Sequence, residues 1–218
     1  MMKKTLFVLG MAGAASLQAV AGESKIEIAA DSAFGMQDMA SIIFVEGMMH
    51  CKCEENRFAG ADLSYVYEFT PANSVNLRFG YAYGSQRWSI FDGDTERLRT
   101  SNISLLPGYR HDFHLAEPLS IYWGINAGVT LQTMRESYRG ATTNTPPDSR
   151  SGRDTAWGYT GTTELGLRWT TESKAEIFVG GKVGFYTAEN SIRYHNGQTK
   201  CDNVQFYAGV RGGVSIPF

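Results

Sequence analysis

Three cysteines and two nearby histidines are the residues whose chemistry is most evident from the sequence. Cys51 and Cys53 are separated by one residue and follow His50, whereas Cys201 lies shortly after His195. Thiolate and imidazole groups are ligands that zinc prefers, and two thiols can instead be oxidised to a disulfide outside the cytoplasm. These residue types therefore allow either a disulfide or a zinc site made by His50, Cys51, Cys53 and His195 or Cys201.

A second set consists of acids and bases that alternate with apolar residues along the chain. Its members are Asp62, Glu68, Arg78, Arg110, Glu164, Arg168, Glu176, Lys182 and Arg211. The set holds both signs of charge, so its members can neutralise one another if the fold brings them together away from water. Whether it does so depends on the elements that carry them.

Apolar residues recur at every second position through most of the chain. Between residues 57 and 69, for example, Leu63 and Tyr65 alternate with Asp62 and Ser64. A period of two is typical of strands with one apolar face. The pattern predicts seven strands, within residues 57–69, 75–84, 102–110, 119–131, 157–169, 176–185 and 204–218.

Most of these segments have about the 9 to 11 residues that a tilted strand needs to cross a bilayer. A sheet in lipid must close so that no backbone group is left unpaired, and bacterial single-chain barrels have an even number of strands. We therefore expect an eighth strand before Arg57, at Lys25 to Met36, with residues 40–46 as the alternative. The predicted fold class is all-β, an eight-stranded antiparallel up-and-down transmembrane β-barrel.

Glycine indicates which face of these strands points inward. Most glycines of the predicted strands lie on the polar face, and the apolar face holds only Gly161, Gly181 and Gly212. Glycine weakens a strand unless space is short, and the lumen of an eight-stranded barrel is narrow. We therefore expect the polar face to line the lumen and the apolar face to contact lipid.

This orientation places the charged set inside the barrel. Charges in a narrow lumen are costly unless they are paired, and we expect Arg168 to lie near Glu176 and Glu68 to lie near Arg78. Since eight strands leave an interior that side chains can just fill, we interpret the set as an ion-pair network that plugs the lumen. The alternative is a narrow, weakly selective channel.

The connections between the predicted strands alternate in length. Short turns are expected at residues 70–74, 112–118 and 170–174, and long loops at 37–56, 85–97, 133–156 and 188–202. Short turns on the periplasmic side and long loops outside are typical of outer-membrane barrels. Because the first and eighth strands of a closed barrel are neighbours, we favour a disulfide from Cys201 to Cys51 or Cys53 over the zinc site.

Composition and the amino-terminal segment agree with export. The first residues are basic, an apolar run follows, and Ala19-Val20-Ala21 resembles a cleavage site, so we predict a signal peptide at residues 1–21 and a barrel domain at 22–218. The 20 basic and 22 acidic residues give a net charge of −2, which gives no reason to expect nucleic acid as a partner. No later apolar run is long enough for a membrane-spanning helix.

The remaining histidines do not suggest catalysis. His111 and His114 fall in a predicted short turn, and the sequence contains no His-x-Ser triplet that would pair a base with a nucleophile. The loop at 133–156 contains Arg135, Arg139, Arg150 and Arg153, which suggests contact with lipopolysaccharide phosphates or a host surface; a mobile polar loop is the alternative.

The export signal, the eight-strand meander and the final strand from Val204 to Phe218 resemble the small outer-membrane β-barrel proteins of Gram-negative bacteria, the family of OmpX and the OmpA transmembrane domain. The resemblance covers nearly all of residues 22–218. It implies a monomer in the outer membrane, in contact with lipid and lipopolysaccharide, with no cofactor or metal. It also implies that the last strand, ending in Phe218, is recognised by the barrel assembly machinery.

The sequence thus favours a structural or surface-interaction role, exerted through the long extracellular loops and without catalysis. A narrow diffusion pore is the second hypothesis. A lipid A-modifying outer-membrane enzyme is the third.

Overall fold

A computed structural model describes residues 22–35, 52–90, 94–139, 151–194 and 197–218. These residues form eight strands: β1 (Glu23–Gly35), β2 (Lys52–Thr70), β3 (Asn73–Ile90), β4 (Asp94–Ala116), β5 (Leu119–Arg139), β6 (Ser151–Thr170), β7 (Glu176–Tyr194) and β8 (Gly197–Pro217). Within them, no helix is long and apolar enough to span a membrane.

The eight strands form one closed antiparallel barrel in chain order. Each strand pairs with the next, and β1 pairs with β8 to complete the ring. This arrangement confirms the predicted fold class. It also confirms the choice of the first strand, since β1 covers all of the predicted Lys25–Met36 segment except Met36. The signal peptide and the alternative strand at 40–46 lie outside the described residues.

The strands are longer than the sequence predicted, and this corrects several predicted loops. β3 reaches Ile90 and β4 begins at Asp94, so most of the predicted loop 85–97 is paired strand. Most of the predicted loop 188–202 is likewise paired, in β7 and β8. The reason is that apolar alternation marks only the part of a strand that contacts lipid, whereas backbone pairing continues where the lipid-facing series gives way to polar residues.

The same correction applies to one short turn and to the third long loop. The turn predicted at 112–118 is mostly strand, because β4 extends to Ala116. The predicted loop 133–156 is shortened from both sides, since β5 continues to Arg139 and β6 begins at Ser151. The strands are joined at residues 71–72, 117–118 and 171–175. We call the barrel end that carries these three connections the short-turn end.

The two faces of the strands differ as predicted. On the outside, Leu63, Leu165 and Val179 are each more than half exposed, whereas on the inside Asp62 and Glu164 are buried. Apolar exposure of this kind surrounds the whole barrel and far exceeds the patches found on proteins in water. The outer surface is therefore suited to hydrocarbon.

Aromatic rings inside the barrel lie over glycines of the neighbouring strand. Three such pairs occupy directly opposed positions: Phe58 with Gly84, Tyr122 with Gly166 and Tyr207 with Gly184. A methyl group added to Gly166 would lie 2.7 Å from the Tyr122 ring. At these positions the absence of a side chain creates the space that the rings fill, which is one reason why glycine is concentrated on the inner face.

This packing predicts that alanine is tolerated at one glycine of the barrel and destabilising at another. Gly166→Ala should destabilise the barrel by about 1–3 kcal/mol, because the new methyl overpacks against Tyr122 and the β7 backbone. Gly181→Ala is the control, since its methyl would face outward, with the Gly209 carbonyl oxygen 4.0 Å away. Urea unfolding of the refolded protein in lipid vesicles measures both; equal stabilities would contradict the packing argument.

Candidate functional site in the barrel interior

The inward positions of the strands bring together a large set of charged side chains. All nine residues named from the sequence lie on the inner face, and four more join them: Lys25, Glu27, Asp31 and Asp112. Among the described residues the set contains six bases and seven acids, so the charges almost balance. The pairs form three successive layers along the lumen, the first of them nearest the short-turn end.

The first layer is centred on Glu27 of β1. Its carboxylate contacts Arg110 of β4, Arg168 of β6 at 3.1 Å and Arg211 of β8 at 3.7 Å. Asp112 adds a second acid, 3.1 Å from Arg110 and 3.5 Å from Arg168. Glu27 is 3% exposed, so this carboxylate is held away from water and is surrounded by guanidinium groups from distant strands.

Lys25 extends the first layer toward the short-turn end. Its ammonium group lies 2.8 Å from Glu68 of β2 and 2.9 Å from Glu176 of β7. Glu176 also accepts a hydrogen bond from Arg168, and Glu68 accepts one from Arg110. Each acid at this end therefore contacts two bases, which makes the layer a network of shared partners.

The second layer crosses the middle of the lumen. Arg78 of β3 donates hydrogen bonds to Glu164 of β6, on strands that are not neighbours in the barrel. Arg211 donates to Asp62 of β2, at 2.9 Å from its Nε atom, and lies 3.4 Å from Glu164. All four side chains are buried. The layer thus connects opposite walls of the barrel.

The third layer lies closest to the opposite end. Lys182 of β7 contacts Asp31 of β1, and its ammonium group lies 5.3 Å from the centre of the Tyr207 ring. Tyr207 stacks on Tyr186 at a centroid distance of 4.9 Å. The cation is therefore held by a carboxylate on one side and an aromatic face on the other.

The pairings agree with the sequence analysis in one case and correct it in another. Arg168 contacts Glu176, as the β6–β7 turn led us to expect. Glu68 was expected near Arg78, but the register places Glu68 opposite Ser74 and Arg78 opposite Ser64. Several residues of strand therefore separate them, and Glu68 contacts Lys25 and Arg110 instead.

Sequence reasoning missed the four additional members although a signal for them exists. Lys25, Glu27 and Asp31 alternate with the outward Ile26 and Ile28 of β1, so the period of two already placed them inside. Asp112 follows Arg110 at the same spacing but was assigned to a turn. The extent of the strand was underestimated only for Asp112, whereas the three residues of β1 lie within the strand that was predicted and were not included in the charged set.

An open cavity of about 370 Å³ lies at the short-turn end of the lumen. Its walls include Lys25, Glu68, Asp112, Arg168 and Glu176, which are members of the first layer. The cavity therefore ends against the ion pairs. Beyond the second layer the inward face carries buried neutral groups, among them Asn102, Asn126, Thr130, Thr160, Thr162 and Gln205.

The histidines of β4 bond to groups near the short-turn end. His111 Nδ1 lies 2.8 Å from Asn73 Oδ1, and His114 Nε2 lies 3.2 Å from the Pro71 carbonyl oxygen. Among the described residues, no group of three or more His, Cys, Asp or Glu is placed to hold a metal ion.

The cysteine predictions fall on parts of the chain that the structure does not describe. Residues His50, Cys51, His195 and Arg150 are outside the described residues, as are the side chains of Cys53, Cys201 and Arg139. The disulfide and its zinc alternative therefore stay predictions. Phe218, in contrast, is described: its backbone N–H donates to the Ser24 carbonyl at 3.1 Å, and its side chain is exposed.

The geometry of the first layer predicts a large effect at its central acid. Glu27→Gln should lower the free energy of unfolding by about 3–5 kcal/mol, because it leaves buried guanidinium groups without their shared carboxylate. Glu172→Gln, in the exposed turn between β6 and β7, is the matched control and should change little. Urea unfolding in vesicles measures both, and a Glu27 variant as stable as the control would show that the pairs contribute little.

Among known proteins, only solved structures are similar to this chain. No family model and no curated protein matches the chain. Among solved structures, a major outer membrane protein from Thermus thermophilus superposes with a TM-score of 0.51 at 11% identity, over 89% of this chain and 99% of that one.

Two further solved structures match less closely in shape. The outer membrane protease OmpT from Escherichia coli has a TM-score of 0.49 at 8% identity, over 91% of this chain and 97% of that one. OprG from Pseudomonas aeruginosa has a TM-score of 0.48 at 16% identity, over 90% and 96%. The conclusion rests on the Thermus barrel together with the closed ring and the apolar exterior described above: this chain has the fold of the small outer-membrane β-barrel proteins.

Proposed function

We propose that this chain is a monomeric barrel of the Gram-negative outer membrane, with a structural and surface-interaction role and a lumen plugged by ion pairs. The observation that carries the proposal is the three-layered ionic interior beneath a continuous apolar exterior. The exterior provides the reason for residence in a bilayer. The ionic interior provides the evidence on whether ions can pass through the barrel.

The plug is supported by the direction of the ion pairs. Glu27 contacts bases on β4, β6 and β8, and Arg78 of β3 bonds to Glu164 of β6, so these bonds run across the lumen. Opening a water path would separate buried opposite charges, which is costly when a partner is lost. Eight strands also leave an interior that side chains can fill.

A narrow pore is the second candidate, favoured by the cavity at the short-turn end. That cavity is open and is lined by charged groups, which are features of a channel mouth. The two candidates differ in what lies beyond it. In the plug, the ion pairs stay formed and block the lumen. In the pore, they rearrange so that hydrated ions can pass.

Planar-bilayer recording separates the plug from the pore. The wild-type barrel should show no steady conductance, and Arg78→Ala together with Arg211→Ala should introduce one by removing two bases of the middle layer. Lys174→Ala, in the exposed turn after β6, is the control and should stay silent. Steady wild-type conductance that changes on substitution of Arg78 or Arg168 would overturn the plug.

The surface-interaction role is supported by the length of the strands. β4 and β5 contain 23 and 21 residues, about twice what a tilted strand needs to cross a bilayer. The excess extends away from the short-turn end, where β4 stays paired with β3 on one side and with β5 on the other. Such a projecting piece of sheet gives a rigid surface for contact with lipopolysaccharide or with an external ligand.

The final strand supports a role for the assembly machinery during biogenesis. β8 alternates between outward Val210, Val214 and Ile216 and inward Arg211 and Ser215. The exposed ring of Phe218 follows it, where a recognition partner can reach it before the barrel closes.

The proposal assigns no catalytic step to the barrel. His111 and His114 contact an amide oxygen and a backbone carbonyl, neither of which is a nucleophile. Mass spectrometry of lipid A from cells with and without the protein tests this directly, and we expect identical acyl and phosphate patterns. A mass change that depends on the intact barrel, and that disappears in His111→Ala or His114→Ala, would instead support the lipid-modifying hypothesis.

A further inference from the structure

Among the arginines whose side chains the structure describes, five face outward near the end of the barrel opposite the short turns. We call them the arginine belt: Arg57 of β2, Arg97 and Arg99 of β4, Arg135 of β5 and Arg153 of β6. All five are exposed, in contrast to the arginines of the lumen. Their clustering on adjacent strands is a feature that neither the lumen nor the apolar surface explains.

The register shows how close these charges are. Arg99 is directly opposite Arg135, and Arg135 is directly opposite Arg153. On the other side of Arg99, Ser85 of β3 is paired with both Arg99 and Arg57. The belt therefore follows one row of paired residues across five adjacent strands, and Arg97 extends it by one outward position along β4.

Such a row needs a counter-charge. Like charges directly opposite each other on a sheet repel and are destabilising. Within the described part of the chain, the structure gives none of the five guanidinium groups a carboxylate partner; Arg97 donates to the Ser85 hydroxyl. Negative charge supplied from outside the barrel would remove this repulsion.

The position of the belt identifies where that charge comes from. On three adjacent strands the outward positions run in the same order, from a last apolar residue to a hydroxyl residue and then to an arginine: Ile103, Ser101 and Arg99; Leu131, Thr133 and Arg135; Trp157, Thr155 and Arg153. Successive outward positions are about 7 Å apart along a strand. The belt thus lies just beyond the hydrocarbon-facing surface, at headgroup depth.

We propose that the arginine belt binds the phosphate groups of lipopolysaccharide in the outer leaflet around the barrel. Guanidinium groups form bidentate hydrogen bonds with phosphate oxygens. The hydroxyl row directly below, in which Thr133 and Thr155 lie 3.1 Å apart through their Oγ1 atoms, can donate to sugar or phosphate oxygens. This inference rests on the proposed outer-membrane location and names the lipid partner of that surface.

The test is a binding titration with the refolded full barrel in detergent, followed by native mass spectrometry. The probes are lipopolysaccharide with a bisphosphorylated lipid A, the same material after removal of its phosphates, and inorganic phosphate. We expect wild type to bind the phosphorylated form at least tenfold more tightly than the dephosphorylated form. Inorganic phosphate at the same concentration should not displace it, because a free ion engages one or two arginines whereas the lipid is held along the row.

The combined variant Arg99→Gln, Arg135→Gln, Arg153→Gln should lose at least tenfold in affinity for the phosphorylated form. The matched control, Arg99→Lys, Arg135→Lys, Arg153→Lys, keeps the charge and should stay within about threefold of wild type. A band shift on heating in a detergent gel verifies folding. If the triple variant does not fold, Arg135→Gln is compared with Arg135→Lys, and the glutamine variant should bind about threefold more weakly than the lysine variant.

Three outcomes would overturn the proposal: glutamine variants that bind like wild type, equal binding of dephosphorylated lipopolysaccharide, or displacement by equimolar inorganic phosphate. Failure here is distinguishable from failure of the proposed function. If lipopolysaccharide does not bind but the bilayer recordings stay silent, the belt assignment is wrong and the plugged barrel stands. If the barrel conducts but the belt variants lose binding, the reverse holds.

Discussion

The constraint on which this structure depends is that backbone N–H and C=O groups have no partner in hydrocarbon except one another. A sheet that spans a bilayer must therefore close, and here β1 completes the ring by pairing with β8. Closure gives each strand two environments that alternate residue by residue. Lipid selects the apolar outer face, and the narrow lumen selects what can be packed inside.

The interior satisfies two demands of that lumen, small volume and neutral overall charge. Glycines give room to the rings of Phe58, Tyr122 and Tyr207 on the neighbouring strands. The acids and bases nearly balance, and the carboxylate of Glu27 is shared among arginines from three strands. Large side chains are therefore placed opposite small ones, and acids opposite bases, across the barrel. The same packing that forms the fold also forms the candidate site.

The part of the fold that touches lipid could be predicted from the sequence, because lipid and lumen impose a clear period of two. The continuation of β3 to Ile90 could not, since the positions that continue the apolar series after Tyr83 are Ser85, Arg87 and Ser89, so the pattern that marks the lipid-facing side stops there. Cross-lumen partners such as Arg78 and Glu164 also escaped prediction. The contact between them depends on the stagger of strands that are far apart in the chain. The spacing of residues within one strand does not determine that stagger.

The seam between β1 and β8 has a consequence for how the molecule is made. Lys25 of the first strand bonds to Glu176 of the seventh, 151 positions away, and the Phe218 amide bonds to Ser24. Contacts of such large sequence separation are slow to form, because the intervening chain must be ordered first. The strand β1 can therefore complete its pairing only after β8 is in place, and until then both strands have an unpaired backbone edge. We therefore expect ring closure to be the slowest step in the maturation of this molecule.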